Sequence, residues 1–174
     1  MSSSEEQPIY FVNPYNDPVL IKVNGRANYL NCAPVRELFR TLTAEGKRHY
    51  VLDFSQCEGM DSTFLGIMAG AVLELCKLNP PGTITLCHLG TRNLELVHNV
   101  GLHRLLAVEA ECDACNATKF DDTKERVTPH GSAPADPSLI LEAHQSLIRA
   151  DENNRSQFQD IVSFLKKEIG EGRH

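Results

Sequence analysis

The chain has 174 residues, of which 41% are hydrophobic and 23% are charged, and its formal net charge is −6. This length allows one domain with a hydrophobic core and an appendage, and the acidic balance argues against nucleic acid as the main partner, because binding a nucleic-acid backbone needs clustered lysine and arginine. The first residues are not typical of a signal peptide and no apolar run reaches the length of a membrane span, so we expect a soluble cytoplasmic protein.

Two short runs near the start are rich in β-forming residues and are separated by a turn composition. The second run has the alternation of a half-buried strand, with three aliphatic side chains on one face: Val19, Ile21 and Val23. A helix follows, with apolar side chains at helical spacing: Val35, Leu38, Phe39 and Leu42. Pro34 suits its first turn and Gly46 suits its exit.

The next segment continues the alternation of strands and helices. A buried strand is predicted at residues 49–54 and a long helix from about Ser62, with the sequence EGMDS joining them. Another strand is predicted at 83–89, then a short helix with Thr91 as its cap and Gly101 as its stop, then a short last strand. This order implies an α/β domain in which a sheet is covered by helices.

The last third of the chain has a different composition. Residues 116–135 are rich in Asp, Thr, Pro, Gly and Ser, which indicates a linker. A helical extension is predicted at 136–170, with Asp136 as its cap, and its second half carries an apolar stripe: Phe158, Ile161, Val162, Leu165 and Ile169. The stripe should pack against another surface, and we favour a homodimer through these helices because the preceding domain is complete without them.

Three polar residues, Asp61, Ser62 and Thr63, stand between two apolar flanks where the long helix begins. A helix N-terminus has unpaired backbone N–H groups and a partial positive charge, and Asp61 or Ser62 can satisfy one of these donors as a cap. The same position would place a phosphorylated hydroxyl beside amides that bind phosphate. The residues themselves therefore allow two interpretations, a helix cap or a hydroxyl that is modified.

The sequence around this triplet, VLDFSQCEGMDSTFLG, and the later HNVGLHRLLAV resemble the STAS domain of bacterial anti-sigma factor antagonists. The resemblance implies a STAS-like fold, a mixed β-sheet covered by helices, for a domain at residues 9–115. It implies a phosphorylation-switched binding module of signalling and transcription regulation, with no cofactor and no enzymatic activity. Ser62 takes the phosphoacceptor position and Asp61 the acid before it. The implied partners are an anti-sigma factor that is also a serine kinase, and a serine phosphatase.

The resemblance also identifies a partner-binding surface, to which we assign Asp61, Ser62, Thr63 and Asn28. Asn28 stands where the family often has an acid. Phe64 stands where the family usually has a small residue, so its ring either packs into the core or alters this surface. A phosphate adds a charge of about −1.5 to −2, which a helix N-terminus tolerates, so phosphorylation of Ser62 is expected to change binding and leave the fold intact.

Two other functions remain open. A STAS domain of another regulatory or transport assembly would use Ser62 only as a cap. A small enzyme would use Ser62 with a histidine, or Cys112 and Cys115, whose C-x-x-C spacing also occurs in metal sites that His98 or His103 would complete. A lone C-x-x-C is a weak signal, so we expect no metal and reduced thiols.

Overall fold

The structure is a computed structural model that describes residues 9–113, 126–127 and 134–171, and these form the α/β fold that the sequence predicted. The strands are β1 Tyr10–Asn13, β2 Val19–Ala27, β3 His49–Met60, β4 Thr83–Cys87, β5 Ala107–Glu109 and β6 Arg126–Val127. The helices are α1 Ala33–Ala44, α2 Ser62–Cys76, α3 Thr91–Asn99, α4 Pro137–Ala150 and α5 Arg155–Glu171. Short 3-10 turns follow α3, at Leu102–Arg104, and α4, at Glu152–Asn154.

The described strands form one mixed sheet in the order β5-β4-β3-β2-β1-β6. Strands β2 to β5 run parallel to one another, whereas β1 is antiparallel to both β2 and β6. Strand β6 lies inside the segment 116–135 that was predicted to be a linker, most of which is outside the described residues. The boundaries 9–115, 116–135 and 136–170 therefore stay a prediction.

The sheet is buried on both faces along part of its length. Val19, Ile21 and Val23 point into the main core with α1 and α2, as predicted. Leu20, on the opposite face, is also buried, because it packs with Val51 in a small second cluster that includes Cys87 and Cys112. The expectation of a half-buried β2 was therefore wrong at Leu20. The segment after β5 helps to cover this side chain, and the alternation of residues within β2 does not reveal that contact.

The helix ends follow the predicted signals with one exception. Asp136 caps α4, since its carboxylate accepts a hydrogen bond from the backbone N–H of Leu139 at 2.8 Å. The assignment of Thr91 as the cap of α3 was wrong. Gly90 is the N-cap, and Thr91 is the first helical residue, so the helix starts without a side-chain cap.

Helix α2 is buried between the sheet and α4. Nine of its 15 residues are buried, and α4 packs closely against it. A Cβ atom on Gly66 would lie 2.2 Å from the backbone oxygen of Ala143, and one on Gly70 would lie 3.1 Å from Oγ of Ser146. The glycines of α2 therefore provide the surface on which α4 packs. Among the described residues, no helix has the length and apolar character needed to cross a membrane.

The C-terminal helices form a hairpin that is anchored to the rest of the domain at its turn. The side-chain amide of Asn154, which is 3% exposed, donates hydrogen bonds to the backbone oxygens of Val100 at 2.9 Å and Leu147 at 2.8 Å. Three residues of the predicted stripe are buried within the chain: Phe158, Val162 and Leu165. The homodimer was favoured because the preceding domain is complete without these helices, yet α4 covers α2 of that domain. The homodimer itself stays a prediction.

Candidate functional site

Asp61 is the N-cap of α2, and it also connects the helix to the loop after β2. It has extended backbone angles (φ −108°, ψ 176°), and its Oδ1 accepts a hydrogen bond from the N–H of Phe64 at 2.9 Å. Its Oδ2 accepts from the N–H of Tyr29 at 2.8 Å. The cap predicted from the sequence is confirmed and belongs to Asp61, which leaves Ser62 as the first residue of the helix.

Asn28 lies in the loop that Asp61 holds. Its Oδ1 accepts a hydrogen bond from the N–H of Leu30 at 2.9 Å, and its own N–H donates to Oδ1 of Asn31 at 3.0 Å. Asn31 is buried and also accepts a hydrogen bond from the hydroxyl of Tyr10 at 2.9 Å. The polar groups of Asn28 thus shape its own loop, and the Tyr29–Asp61 bond places this loop beside the start of α2.

The hydroxyl of Ser62 is bonded to a histidine of the C-terminal extension. Oγ of Ser62 lies 2.8 Å from Nε2 of His144, and Nδ1 of the same ring lies 2.7 Å from the backbone oxygen of Ile140. A carbonyl oxygen can only accept, so Nδ1 donates, and in the neutral ring Nε2 accepts the proton of Ser62. His144 is 2% exposed and its ring lies edge-on to Phe158, 5.3 Å between centroids. The predicted phosphoacceptor is therefore half-buried beneath α4.

The two neighbours of Ser62 in the helix point into the protein. Thr63 is 4% exposed and Phe64 is fully buried. The ring of Phe64 stacks on Tyr10, with centroids 6.2 Å apart, and meets Phe54 edge-on at 6.4 Å. Of the two alternatives for Phe64, packing into the core is the one found. Asp61, Ser62, Thr63 and Asn28 do lie together, but Thr63 offers little surface to a partner.

The Ser62–His144 hydrogen bond has the geometry that a serine nucleophile shares with its base. In catalytic triads a carboxylate orients the histidine, whereas here the carbonyl of Ile140, in the same helix, does so. A groove of about 550 Å³ runs between α1, α2 and α4, but neither Ser62 nor His144 lines it. The hydroxyl of Ser62 is therefore hydrogen-bonded to a base, but it does not face this groove, where a substrate could bind.

The groove is crossed by one ion pair between α1 and the extension. Nε of Arg36 lies 2.7 Å from Oε2 of Glu142, and Nη2 of the same side chain lies 2.9 Å from Oε1, a bidentate contact. This contact raises the pKa of Arg36, chiefly through its hydrogen bonds to Glu142. Both side chains are partly exposed, so the pair contributes little to stability, of the order of 0–1 kcal/mol.

The cysteines fall into different environments. Burial, together with the nearby charge of Asp61, raises the pKa of the Cys32 thiol to about 12, so this thiol is protonated at neutral pH. Cys112 is buried on the sheet face that carries Cys87, and Cys115 lies outside the described residues. The rings of His98 and His103, which the sequence suggested as companions of the cysteine pair, stack on each other with centroids 4.1 Å apart.

Solved structures of anti-sigma factor antagonists have the same architecture. The antagonist SpoIIAA in its unphosphorylated form aligns with a TM-score of 0.51 and 16% identity, over 62% of this chain and 94% of its own. The antagonist from Mycobacterium paratuberculosis aligns with a TM-score of 0.54 and 18% identity, over 67% of this chain and 97% of its own. The chain has a STAS fold.

A third structure agrees: the Bacillus cell fate determinant SpoIIAA in its phosphorylated form covers 63% of this chain and 99% of its own, with a TM-score of 0.50 and 18% identity. Identities this low show the fold alone. No protein-family model and no curated protein matches the sequence. These STAS structures are matched over almost their whole length, yet they account for only about two thirds of this chain, so this chain carries a substantial addition to the shared fold.

Proposed function

We propose that the protein is a regulatory binding module whose interaction surface at the start of α2 is controlled by phosphorylation of Ser62. The observation that carries the proposal is the position of Ser62, which directly follows the cap Asp61 at the N-terminus of α2 in a STAS fold. Helix N-termini stabilise phosphate through their free amides and partial charge. The partner we propose is an anti-sigma factor with serine kinase activity, and a serine phosphatase would reverse the modification. The proposed switch itself uses no cofactor, and the module catalyses no reaction.

We propose further that the C-terminal helices occupy this surface when the protein is alone. At 2.8 Å, the Ser62–His144 contact leaves no room for a phosphate between Oγ and Nε2. The backbone of α4 contacts Gly66 one turn further along α2. Phosphorylation at Ser62 and docking of α4 therefore exclude each other, and a kinase or partner must displace α4 to reach the hydroxyl.

The proposed function is tested by identifying the phosphorylated residue. Incubation of the full chain with its kinase and ATP should modify Ser62 and leave Thr63 unmodified, because Thr63 is 4% exposed. Peptide mapping by mass spectrometry locates the phosphate, and Ser62→Ala should accept none. Phosphate on Thr63, or an unmodified wild-type chain with a kinase that is active on another substrate, would contradict the assignment.

Ser62→Asp should release α4 from α2 while the STAS core stays folded. The introduced carboxylate is larger than the hydroxyl it replaces and has no proton to donate to Nε2 of His144, so it does not fit beneath α4. At the exposed end of a helix the same charge is tolerated. Hydrogen exchange of the α4 amides should rise at least about tenfold, equivalent to about 1.4 kcal/mol of docking free energy. The amides of β2 to β4 should exchange as in the wild type.

The matched control is Ser62→Ala, which removes the hydrogen bond without adding a charge and should raise exchange in α4 much less than Ser62→Asp does. If the α4 amides of Ser62→Asp are as protected from hydrogen exchange as those of the wild type, phosphorylation of Ser62 and docking of α4 are compatible, which contradicts the proposal. If β2 to β4 also lose protection, Ser62 supports the whole fold.

A second function is favoured by the Ser62–His144 bond, since this bond already gives the hydroxyl a structural role. In that alternative the STAS domain works in another regulatory or transport assembly without a phosphoswitch. The two functions differ in one observable. Partner capture from the native cell extract should weaken after phosphatase-sensitive modification of Ser62 if the switch operates, and should be indifferent to the modification if it does not.

The homodimer through the C-terminal helices remains part of this proposal. On α5, Ile161 is 39% exposed and Phe164 is 59% exposed, so a second chain could cover both. The full chain should run as a dimer in light scattering, and Phe164→Ser should shift it towards a monomer. Lys166→Ser, an exposed position on the same helix, is the matched control. A wild-type monomer at high concentration would contradict the dimer.

A further inference from the structure

Three side chains with metal-binding groups converge on the sheet face opposite α2. Cys87 ends β4 and Glu109 ends β5, and the parallel register pairs these two residues directly. Their side chains therefore leave the sheet on the same face. The chain then turns back, so that the Sγ atoms of Cys87 and Cys112 and a carboxylate oxygen of Glu109 all lie within 4.8 Å of one another.

The size of this group fits one metal ion. Zinc binds cysteine sulfur at about 2.3 Å and carboxylate oxygen at about 2.0–2.2 Å, so tetrahedral ligand atoms are separated by roughly 3.5 Å. Small side-chain movements bring the three atoms from their present separation to that distance. Two thiolates and one carboxylate are a ligand set that zinc accepts, whereas magnesium and calcium prefer oxygen ligands alone.

The burial of the group also suits a metal. Cys87 is fully buried and Cys112 is 6% exposed, and both pack with Leu20 and Val51, so the sulfur side of the site excludes water. Glu109 is exposed and supplies the solvent side. A dry pair of thiolates is stabilised by a bound cation, and an exposed carboxylate leaves a path by which the ion can enter.

The neighbouring residues fix the end of β4. Asp53 of β3 is the register partner of Cys87 on its other side, and its Oδ1 lies 2.9 Å from Nδ1 of His88. His88 has φ 58°, a left-handed conformation that is uncommon outside glycine, and it directly follows Cys87. The contact with Asp53 holds this turn, so Cys87 is presented from a constrained strand end rather than from a free loop.

We propose that Cys87, Glu109 and Cys112 bind a zinc ion, which ties the segment after β5 to the sheet. The sequence alone favoured no metal, because the C-x-x-C pair lacks a second pair of ligands nearby in the chain. The β4–β5 register provides ligands that are distant in sequence. This site plays no part in the proposed phosphorylation of Ser62, so its test does not depend on the phosphoswitch.

The test uses the full chain, purified under a thiol reductant with no strong chelator present. Metal analysis after growth with zinc should find about one zinc per chain. The metal-free protein titrated with Co²⁺ should develop a thiolate-to-cobalt charge-transfer band, which reports sulfur ligation directly. Cys112→Ser should weaken the Co²⁺ affinity at least about tenfold, since even outer-shell changes cost 10- to 100-fold. Cys76→Ser, which alters an exposed cysteine of α2, should bind as the wild type does.

Glu109→Gln is a second variant that does not disturb the buried side of the site. It should weaken Co²⁺ binding while the charge-transfer band persists at saturation, because both sulfurs remain. Absence of the band in the reduced wild-type protein would overturn the proposal. So would wild-type affinity in both Cys112→Ser and Glu109→Gln. A Cys87–Cys112 disulfide in protein isolated without reductant, with no metal bound after reduction, would show that the pair serves oxidation instead.

Discussion

Gly66→Ala should lower the melting temperature of the full chain, although alanine is the better helix former. In an exposed helix this change stabilises by about 0.8–1.0 kcal/mol. In α2 the new Cβ would lie 2.2 Å from the oxygen and 2.5 Å from the carbonyl carbon of Ala143, and backbone atoms cannot rotate away. Overpacking costs about 1–3 kcal/mol, so the melting temperature should fall by about 2–12 °C.

The matched control is Gly170→Ala near the end of α5, where a new Cβ would meet no atom within 4 Å. Its melting temperature should stay the same or rise slightly. Thermal unfolding followed by circular dichroism measures both variants, and hydrogen exchange shows whether α4 is the part that loosens. An increase in stability for Gly66→Ala would mean that α4 does not lie on α2 in solution.

Asn154→Ala should destabilise the chain as strongly, from the other end of the helical hairpin. The Asn154 amide donates to the oxygens of Val100 and Leu147, and the residue is 3% exposed. Alanine would leave the Val100 oxygen without this donor, which costs about 1–3 kcal/mol for a buried unsatisfied group. The Leu147 oxygen would still accept a hydrogen bond from the N–H of Asp151 at 3.1 Å. We expect the free energy of unfolding to drop by about 1–3 kcal/mol in urea denaturation.

Asn153→Ala is the control for this substitution because it is the same change one residue earlier. Asn153 is exposed, and the hydrogen bond that it gives to Asp151 comes from its backbone N–H, which alanine retains. Its unfolding midpoint should match the wild type. Equal stability of Asn153→Ala and Asn154→Ala would show that the turn of the hairpin is not anchored at Val100.

The sequence predicted the parts of this fold that depend on local patterns. Alternating strands and helices, the Asp61 cap and the helix start at Ser62 follow from apolar spacing and from residues that satisfy free backbone amides. Contacts between distant segments left no local pattern. Ser62 and His144 are 82 residues apart, and a helical histidine that bonds a serine has the same neighbours in sequence as one that is only packed.

One signal of the covered surface lies in the sequence of α2 itself. Helix α2 is apolar around almost its whole circumference, which is typical of a helix buried on both sides and not of one that faces solvent. With Gly66 and Gly70 spaced one turn apart, this pattern indicates a second helix at close range. The grouping of Cys87, Glu109 and Cys112 could not be predicted in this way, because it depends on the register of β4 and β5.

The cover of α2 by a helix of the same chain has a consequence for how strongly any competitor must bind. If only a fraction of the molecules have α4 undocked, the apparent dissociation constant of the competitor is its intrinsic value divided by that fraction. Each 1.4 kcal/mol of docking free energy thus weakens the apparent affinity by about tenfold. Because the covering helix is tethered, this threshold does not change when the protein is diluted, whereas inhibition by a separate molecule would fade. The tethered helix therefore raises the apparent dissociation constant of a competitor by the same factor at every protein concentration, which disfavours weak partners.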